Sequence, residues 1–399
     1  MEKIRVENLT KIFNGHVKQV RELLAAGKSK DEILSQTGAT VGVNNANFSV
    51  EDGEIFVIMG LSGSGKSTLI RMINRLIEPT SGSVYLDGKD VAKLSKDELR
   101  QVRRKQLSMV FQNFALFPQR TVLDNAAYGL EIQGVGVPER HEKAMKALKR
   151  VGLKGYEEQY PSQLSGGMQQ RVGLARALAN DADVLLMDEA FSALDPLNRK
   201  DMQDELLELQ DELHKTILFI SHDLNEALRI GNHIMIMRDG NIIQIGTPED
   251  ILTEPADEYV ERFIEDVDRS KVITAGSVMI RPYTVNIDRD GPRVALRQMH
   301  HNEVSTLMVV DSDRQLIGVI DARDTIALIQ KDKAHKVQRL DSIVQKNVAT
   351  TTADTSLSEL MKQFAQTSMP VAVLDENKRL QGIVIRGAVL AAMAGTEAE

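Results

Sequence analysis

Three short apolar runs in the first part of the chain each lead into a glycine-rich, polar or charged segment. They occupy positions 54–59 (EIFVIM), 184–187 (VLLM) and 216–220 (TILFI). Unbroken apolar runs of this length are typical of strands buried on both faces of a parallel sheet. Helical spacing follows them, so the pattern predicts an α/β fold. In such a fold the polar residues after the strands lie at one edge of the sheet, where ligands bind.

The first run leads into a glycine-rich loop and then a helix. The spacing Gly60-x4-Gly65-Lys66-Ser67 matches the phosphate-loop pattern completely, with the flanking strand and helix that its mechanism needs. The glycines let backbone N–H groups turn toward phosphate oxygens, and the helix start adds a partial positive charge. We expect Lys66 to reach the β- and γ-phosphates and the Ser67 hydroxyl to ligate Mg²⁺. An accidental match within a glycine- and serine-rich turn would not explain the flanking elements.

The absence of a guanine-reading motif bears on which nucleotide binds. A GTPase would carry an Asn-Lys-x-Asp motif that reads guanine. The nearest candidate, at 377–380 (NKRL), has no aspartate and lies far downstream. GTP is therefore disfavoured.

Two acids and a histidine follow the second and third apolar runs. Asp188 suits Mg²⁺ coordination, and Glu189 can polarise a water for attack on the γ-phosphate. His222 can hydrogen-bond the γ-phosphate. The alternatives are a helix N-cap with a surface acid, and a purely structural histidine. The repeated order of apolar strand and polar tip favours the functional interpretation.

A second glycine-rich helix start, LSGGMQQRVGLARAL, occupies 164–178. Ser165, Gly166 and Gly167 begin a helix whose free N–H groups and dipole suit an anion. Its apolar face consists of Met168, Val172, Ala175 and Ala179. The alternative is an ordinary helix capped by Ser165, which would not explain the co-occurrence of the other motifs.

Composition restricts the environment and the partners. The formal net charge of the 399 residues is -8, so we expect no nucleic-acid partner. Cysteine is absent, which excludes disulfides and fits a reducing cytosol. The sequence shows neither a secretory signal nor an apolar run of the roughly 18 residues that span a bilayer. If the protein works at a membrane, we expect it to do so through another protein.

Together these motifs resemble those of the ATP-binding cassette (ABC) family of transport ATPases, over about residues 1–265. The matching segments are the Walker A loop at 60–68, the Q-loop at Gln112, the signature at 164–170, Walker B at Asp188 and Glu189, the D-loop at 192–195, and the switch histidine His222. The resemblance implies a P-loop NTPase fold, ATP with Mg²⁺, and a homodimer of cassettes. In that dimer the signature of one subunit faces the ATP held by the other, which explains two phosphate-binding devices in one chain.

The resemblance also implies the role of each matching residue. The implied nucleotide-binding residues are Phe13 as the adenine platform, Gly60, Ser62, Gly63, Ser64, Gly65, Lys66, Ser67 and Thr68, and across the dimer Ser165, Gly166, Gly167 and Asp195. The implied catalytic residues are Glu189, His222 and Gln112, and the implied metal ligands are Ser67, Gln112 and Asp188. The region 112–135 is implied to contact a membrane subunit. Its aromatic stretch NFALFP suits a docking surface and a buried core equally.

An insertion at 14–40 separates Phe13 from the next strand, VNNANFSVEDGE. Val17, Val20, Leu23 and Leu24 fall at helical spacing, and Ser29–Glu32 is a capping box before Ile33 and Leu34, so we expect two short helices. This insertion, with INRLIEP and DEAFSALDPL, resembles the glycine betaine/proline betaine uptake ATPases. That resemblance alone implies the substrate class.

The remainder of the chain contains an internal repeat. TLMVVDSDRQLIGVIDARDTIALI aligns without gaps to MPVAVLDENKRLQGIVIRGAVLAAM, so that Asp311 pairs with Asp375 and Gly318 with Gly382. Each copy predicts strand, polar turn, strand and helix, with a further helix upstream. Two such units should pack pseudo-symmetrically.

This repeat resembles a tandem pair of cystathionine-β-synthase (CBS) modules. Such pairs bind adenine nucleotides in the clefts between repeats and regulate an attached domain. The family's polar positions are Asp321 and Asp324 in the first repeat, where the hydroxyl is replaced, and Ile385 and Ala388 in the second, where both are lost. Two hypotheses remain open: a sensor of an adenine or cyclic dinucleotide, and a sensor of ionic strength at an anionic membrane surface. A basic stretch at 331–339 suits either lipid contact or a solvated linker.

We therefore predict an ABC cassette at 1–265, a linker at 266–275 and a CBS pair at 276–395, with repeats at about 276–331 and 340–395. The resemblances imply the ATP-hydrolysing subunit of an importer of quaternary ammonium osmoprotectants, at the cytoplasmic face of the cell membrane. Its implied partners are membrane permease subunits and an extracytoplasmic substrate-binding protein or domain. The alternatives are an importer of another solute, such as amino acids, and a soluble ABC-type ATPase or nucleotide sensor.

Overall fold

The computed structural model describes residues 1–112, 114–192, 194–265, 267–331, 339–367 and 369–394. Contacts divide the chain into two compact units, Met1–Val267 and Asp268–Glu399. Ala193 of the D-loop match and most of the basic stretch, 332–338, lie outside the described residues.

The first unit contains ten strands and eleven α-helices among its described residues. The strands are β1 (Glu2–Phe13), β2 (Thr40–Glu51), β3 (Ile55–Met59), β4 (Ser81–Leu86), β5 (Lys89–Asp90), β6 (Leu107–Val110), β7 (Val184–Asp188), β8 (Thr216–Ile220), β9 (His233–Arg238) and β10 (Asn241–Gly246). The helices are α1 (Val17–Ala25), α2 (Lys30–Thr37), α3 (Lys66–Ile73), α4 (Lys96–Lys105), α5 (Val122–Ile132), α6 (Val137–Arg150), α7 (Gly166–Ala179), α8 (Pro196–Leu213), α9 (Leu224–Ile230), α10 (Pro248–Thr253) and α11 (Glu258–Ile264).

Two sheets form the framework of this unit. The larger sheet has the order β10-β9-β3-β8-β7-β6, and its strands are parallel except for β10. The smaller, antiparallel sheet has the order β2-β1-β4-β5. All residues of β3, β7 and β8 are buried, which confirms the interpretation of the three apolar runs. Because these strands are parallel neighbours, their polar tips share one edge.

Helix α3 lies in the core between the two sheets. Its buried residues Leu69, Ile70, Met72 and Ile73 pack in one cluster with residues of β1, β2 and β4 on one side and of β3, β7, β8 and β9 on the other. The loop before α3 is therefore anchored at both ends by buried structure.

The insertion forms two helices, as the spacing predicts. Helix α2 begins with the predicted capping box, in which Ser29 and Glu32 satisfy each other's backbone N–H groups. Val20 of α1 and Ile33 of α2 are buried against Ile12 and Val41, at the adjoining ends of β1 and β2. The insertion is thus packed onto the end of the smaller sheet.

The second unit consists of two similar three-stranded sheets with helices. Its strands are β11 (Thr284–Asn286), β12 (Thr306–Val310), β13 (Leu316–Asp321), β14 (Thr350–Thr351), β15 (Val371–Leu374) and β16 (Leu380–Val384). Its α-helices are α12 (Ala275–Val278), α13 (Pro292–His301), α14 (Ala322–Lys331), α15 (Leu357–Phe364) and α16 (Arg386–Ala394). Each sheet has a parallel pair followed by an antiparallel pair.

The internal repeat is confirmed down to its turns. Asp311 accepts hydrogen bonds from the backbone N–H groups two and four residues later, at 2.9 and 2.8 Å. Asp375 makes the same two bonds at the same distances. Met308, Val310 and Val319 of the first repeat pack with Ala372 and Leu380 of the second, so the two repeats share one apolar cluster.

No helix within the described part of the chain is long and apolar enough to cross a bilayer.

Candidate functional site

The phosphate loop is held by close approaches of backbone to its glycines. A Cβ on Gly60 would lie 2.2 Å from the carbonyl oxygen of Met237, and a Cβ on Gly65 would lie 2.2 Å from that of Gly42. Gly60 and Gly65 have φ values of 144° and 106°, which L side chains rarely adopt. The loop therefore rests against β9 on one side and β2 on the other.

Lys66 lies inside the curve of this loop and is 6% exposed. Its Nζ donates to the carbonyl oxygens of Gly60, at 2.7 Å, and Leu61, at 3.2 Å. Burial lowers the pKa of Lys66, and the nearby charges of Glu189 and Asp188 oppose that shift. The side chain is thus a partly desolvated cation, held where a phosphate would meet it.

The other residues of the loop and of the first turn of α3 differ in their exposure. Leu61, Ser62 and Gly63 are exposed at the tip. Ser64 is buried, and its hydroxyl finds no hydrogen-bond partner among the described residues. Ser67 and Thr68 lie in the first turn of α3. A loop with exposed tip groups above a buried cation fits a triphosphate.

The tip of β7 meets the start of α3. Ser67 Oγ donates to Asp188 Oδ1 at 3.0 Å, and an Arg71 guanidinium nitrogen donates to Asp188 Oδ2 at 3.1 Å. Asp188 is 3% exposed, and each of its two carboxylate oxygens accepts one of these hydrogen bonds. A hydroxyl beside a carboxylate is the type of hard-oxygen pair that Mg²⁺ prefers. The residues present therefore fit the metal that the resemblance implies.

Glu189 stands at the centre of the remaining predicted residues. Gln112 Nε2 donates to Glu189 Oε2 at 2.8 Å. His222 Nδ1 lies 4.0 Å from the same oxygen, beyond hydrogen-bond distance. Glu189 adopts a positive φ of 49°, so the chain turns sharply after Asp188 and the two neighbouring carboxylates point differently. The structure thus brings Gln112, Glu189 and His222 together beside the phosphate loop.

Phe13 lies close to the loop despite the insertion that follows it. A Cβ on Gly42 would lie 2.7 Å from the Phe13 ring and 3.2 Å from the Thr68 methyl group. The ammonium of Lys11 lies 5.0 Å from the ring centroid. The ring is therefore adjacent to the first turn of α3, with a cation over it.

The signature begins a helix as predicted. Ser165 is the N-cap of α7 and accepts a hydrogen bond from the N–H of Met168. Val172, Ala175 and Ala179 of the predicted apolar face are buried, whereas Met168, in the first turn, is only half-buried. The positions of added Cβ atoms on Gly166 and Gly167 neighbour Phe114 and Leu194. The helix start itself is largely open to solvent.

Asp195 is the N-cap of α8. It accepts hydrogen bonds from the N–H of Asn198, at 3.2 Å, and from its side-chain amide, at 2.5 Å. These bonds, the side-chain one first, lower the pKa of Asp195. The carboxylate is exposed and oriented by its own helix.

The aromatic stretch before α5 is partly buried. The Phe117 ring packs on Tyr128, with centroids 4.5 Å apart, and Arg120 lies over both rings. Phe114 and Leu116 are half-buried. The stretch thus combines packing within the unit with exposed area, rather than serving one purpose alone.

Two residues of the site were missed by sequence reasoning. Arg71 lies four residues after Ser67, so helical geometry places both on the face toward Asp188. That spacing is readable in the sequence. Lys30 of the insertion donates to the carbonyl oxygen of Gly63 at 2.8 Å. Nothing local in the sequence signals that long-range contact.

The two clefts of the second unit differ. In the first repeat Gln345 donates to Asp321 and Asp324, each at 3.3 Å, and its backbone pairs with Val319. Both polar positions of the first repeat are therefore already occupied by an amide. A cavity of about 300 Å³ lies between the two repeats. It is lined by Ile280, Arg281, Tyr283, Glu303, Val304, Ser305, Thr306 and Met308 of the first repeat and by Pro370, Ile383 and Ile385 of the second.

Comparison with known families agrees with this geometry. Residues 43–192 match the family described as ABC transporter. Residues 275–331 and 340–395 match the family described as CBS domain.

Relatives and solved structures extend the match. The glycine betaine/carnitine transport ATP-binding protein of Listeria monocytogenes is 61% identical, with 100% of this chain and 99% of that protein covered. The glycine betaine transport ATP-binding protein of Bacillus subtilis is 59% identical, with 98% and 93% covered. A dimeric structure of a bacterial ABC transporter cassette matches with a TM-score of 0.53 and 33% identity, over 61% of this chain and 98% of that one. The chain therefore belongs to the ABC transporter family of ATP-binding proteins, as a cassette followed by a CBS pair.

Proposed function

We propose that this chain hydrolyses ATP to drive uptake of glycine betaine or a related quaternary ammonium compound through membrane subunits. The full-length identity of 61% to a glycine betaine/carnitine transport ATP-binding protein supports the substrate class. Two hydrogen-bonded pairs near Lys66, Gln112 with Glu189 and Ser67 with Asp188, support the reaction.

Each predicted residue has a role that its position allows. Lys66 and the N–H groups of the loop hold the β- and γ-phosphates, and Phe13 stacks on adenine. Glu189 takes a proton from the attacking water, Gln112 orients that carboxylate, and His222 donates to the γ-phosphate. Ser67, Asp188 and Gln112 would hold Mg²⁺, which would supply charge stabilisation at the phosphates.

Two copies of the chain would complete the ATP sites. Ser165, Gly166 and Gly167 present the start of α7 to solvent rather than to a buried partner. Such a helix start attracts an anion, and in a dimer that anion is the triphosphate of the other subunit. Asp195 would serve the same facing site. A related cassette has been solved as a dimer in two structures, one of them bound to ADP and phosphate.

The transported compound would pass through other proteins. We propose integral permease subunits and an extracytoplasmic substrate-binding protein or domain as partners. The chain would lie at the cytoplasmic face of the membrane, with the half-buried aromatic stretch before α5 against a permease subunit. The sequence gives no basis for a nucleic-acid partner, since its net charge is -8.

We propose that the CBS pair regulates the cassette. The ligand would be an adenine nucleotide or cyclic dinucleotide in the cavity between the repeats, because Gln345 occupies Asp324 in the first repeat. Since Ile385 and Ala388 replace the family's polar residues in the second repeat, other residues lining the cavity would make the polar contacts. The competing signal is ionic strength at an anionic membrane surface.

The decisive experiment uses the complete transporter reconstituted in anionic lipid. ATP hydrolysis is measured with and without glycine betaine across a range of salt concentrations. We expect betaine to stimulate hydrolysis, and to do so only as the salt concentration rises. Stimulation by a different solute, such as an amino acid, would overturn the substrate class and leave the ATPase activity standing.

A further inference from the structure

A buried carboxylate lies directly behind the loop that carries His222. Glu226, in the first turn of α9, is 7% exposed. Its Oε2 accepts a hydrogen bond from Ser221 Oγ at 2.5 Å, and its Oε1 accepts one from Gln203 Nε2 at 3.0 Å. Ser221 is the residue before His222, and Gln203 belongs to α8. The carboxylate therefore bridges the histidine loop and the neighbouring helix.

The orientation of the Gln203 amide is fixed from its other side. Arg229, also on α9, donates to Gln203 Oε1 at 2.8 Å and to Asp204 at 2.5 Å. Because a guanidinium is only a donor, the oxygen of Gln203 must face Arg229 and its nitrogen must face Glu226. The network is thus directional, with each polar group matched to one partner.

A second set of contacts positions Asp223, the residue after His222. Arg199 of α8 contacts Asp223 Oδ2 at 3.3 Å and donates to the Leu194 carbonyl oxygen at 3.1 Å. Asp223 in turn donates its N–H to Ser221 Oγ at 3.0 Å. Both neighbours of His222 are therefore fastened to α8.

Helix α8 begins at Pro196, and its N-cap Asp195 follows Leu194 directly. The first two turns of α8 thus hold the histidine loop through Arg199 and Gln203, next to the N-cap Asp195. His222 is itself half-exposed and 4.0 Å from Glu189 Oε2. A small shift of Ser221 or Asp223 would change that distance directly.

Burial of Glu226 carries a cost. Transfer of a carboxylate from water into the interior is unfavourable unless its hydrogen bonds replace hydration, and burial raises the pKa of Glu226. Asp223 adds to that shift, while Arg199 and the hydrogen bonds from Ser221 and Gln203 oppose it. An apolar side chain would fill the space without that cost, but it could not accept the hydrogen bonds from Ser221 and Gln203.

We propose that Glu226 is a positioning residue that ties the His222 loop to α8, so that His222 and Asp195 move as one body. The proposal rests on the roles proposed above for these two residues. It links the γ-phosphate contact of one ATP site to the residue that faces the other site.

The test is a double-mutant cycle in the full-length chain, with single-turnover release of phosphate from ATP. Glu226→Gln keeps the shape of the side chain and is expected to slow release about 5- to 20-fold, with the affinity for ATP unchanged within about twofold. Gln203→Met, which removes the other half of the bridge, should act in the same direction. Glu208→Gln, an exposed acid on the same helix α8, is the control and should have no effect.

The cycle is completed in a His222→Ala background. If Glu226 acts through His222, Glu226→Gln adds no further loss there, whereas a general loosening of the fold would add its full effect. Equal losses in both backgrounds, or an unchanged rate in Glu226→Gln, would overturn the coupling. An unchanged rate in His222→Ala alone would instead overturn the role proposed for the histidine.

Discussion

Gly65 shows how closely the phosphate loop is built into its surroundings. A side chain there would meet the carbonyl oxygen of Gly42 at 2.2 Å, on a backbone whose φ is already 106°. The conformation and the contact both require glycine. The phosphate-loop motif predicts only the backbone conformation, because the contact is with Gly42 in strand β2, outside the motif.

Gly65→Ala should lower the free energy of unfolding by about 1–3 kcal/mol and weaken ATP binding at least tenfold. The reason is that the loop must move away from β2. Chemical denaturation and equilibrium ATP binding measure the two effects. Gly134→Ala is the control, since Gly134 also has a positive φ of 84° but open space around it. Equal destabilisation by both variants would show that the contact with Gly42 is unimportant.

The second residue-scale prediction concerns Glu189. Glu189→Gln keeps the hydrogen-bonding shape but removes the base, so steady-state hydrolysis should fall at least 100-fold while ATP still binds. The variant should therefore accumulate as an ATP-bound dimer, measured by size-exclusion chromatography with light scattering. Unchanged turnover would rule out Glu189 as the base.

Much of the site at this scale is predictable, because triphosphate chemistry fixes both residue type and spacing. Lys66, Asp188 and Glu189 follow from the motifs and lie together in the structure. Arg71 and the Glu226 network do not follow, since their partners come from other elements. A motif records residues that meet the ligand, whereas the residues that hold them depend on the tertiary fold.

At the scale of elements, the insertion is more than an addition to a loop. Helix α2 places Lys30 on the carbonyl oxygen of Gly63, at the tip of the phosphate loop. The helices themselves are predictable from the capping box and the apolar spacing. Their contact with the loop is not, because it depends on how the apolar side of the pair packs against Ile12 and Val41.

Lys30→Ala should raise the dissociation constant for ATP about two- to fivefold, because the loop tip loses a hydrogen bond that restricts it. Lys18→Ala, an exposed lysine on α1, is the matched control. The affinities are compared by equilibrium titration of each full-length variant. Equal affinities of the two variants would show that the insertion does not support the loop.

At the scale of the whole molecule, the chain consists of two units with separate apolar cores. The repeat in the second unit is predictable because it recurs residue for residue, including Asp311 and Asp375. The difference between its two clefts is not, since it depends on Gln345, which lies between the aligned segments. Pseudo-symmetry in sequence therefore does not ensure two equal sites.

ATP should stabilise the first unit selectively. At a ligand concentration one hundred times the dissociation constant, binding adds about 2.7 kcal/mol to the stability of the bound state. For a unit of this size that corresponds to a rise in melting temperature of roughly 5–10 °C. Calorimetry of Glu189→Gln with Mg²⁺ and ATP measures the shift, and Lys66→Ala should abolish it. A uniform shift of both units, or none, would contradict the assignment of ATP to the first.

The order of strands in the larger sheet also determines when, during translation, the phosphate loop can reach its folded conformation. Strand β3 lies between β8 and β9, both of which leave the ribosome long after it. At roughly 5–20 residues per second, the interval between translation of Lys66 and of Met237 lasts on the order of ten to thirty seconds. Until then β3 lacks its neighbour β9, and Gly60 has no Met237 carbonyl beside it. The phosphate loop is translated early, yet the nascent chain becomes able to hold a nucleotide only when the first unit is nearly complete.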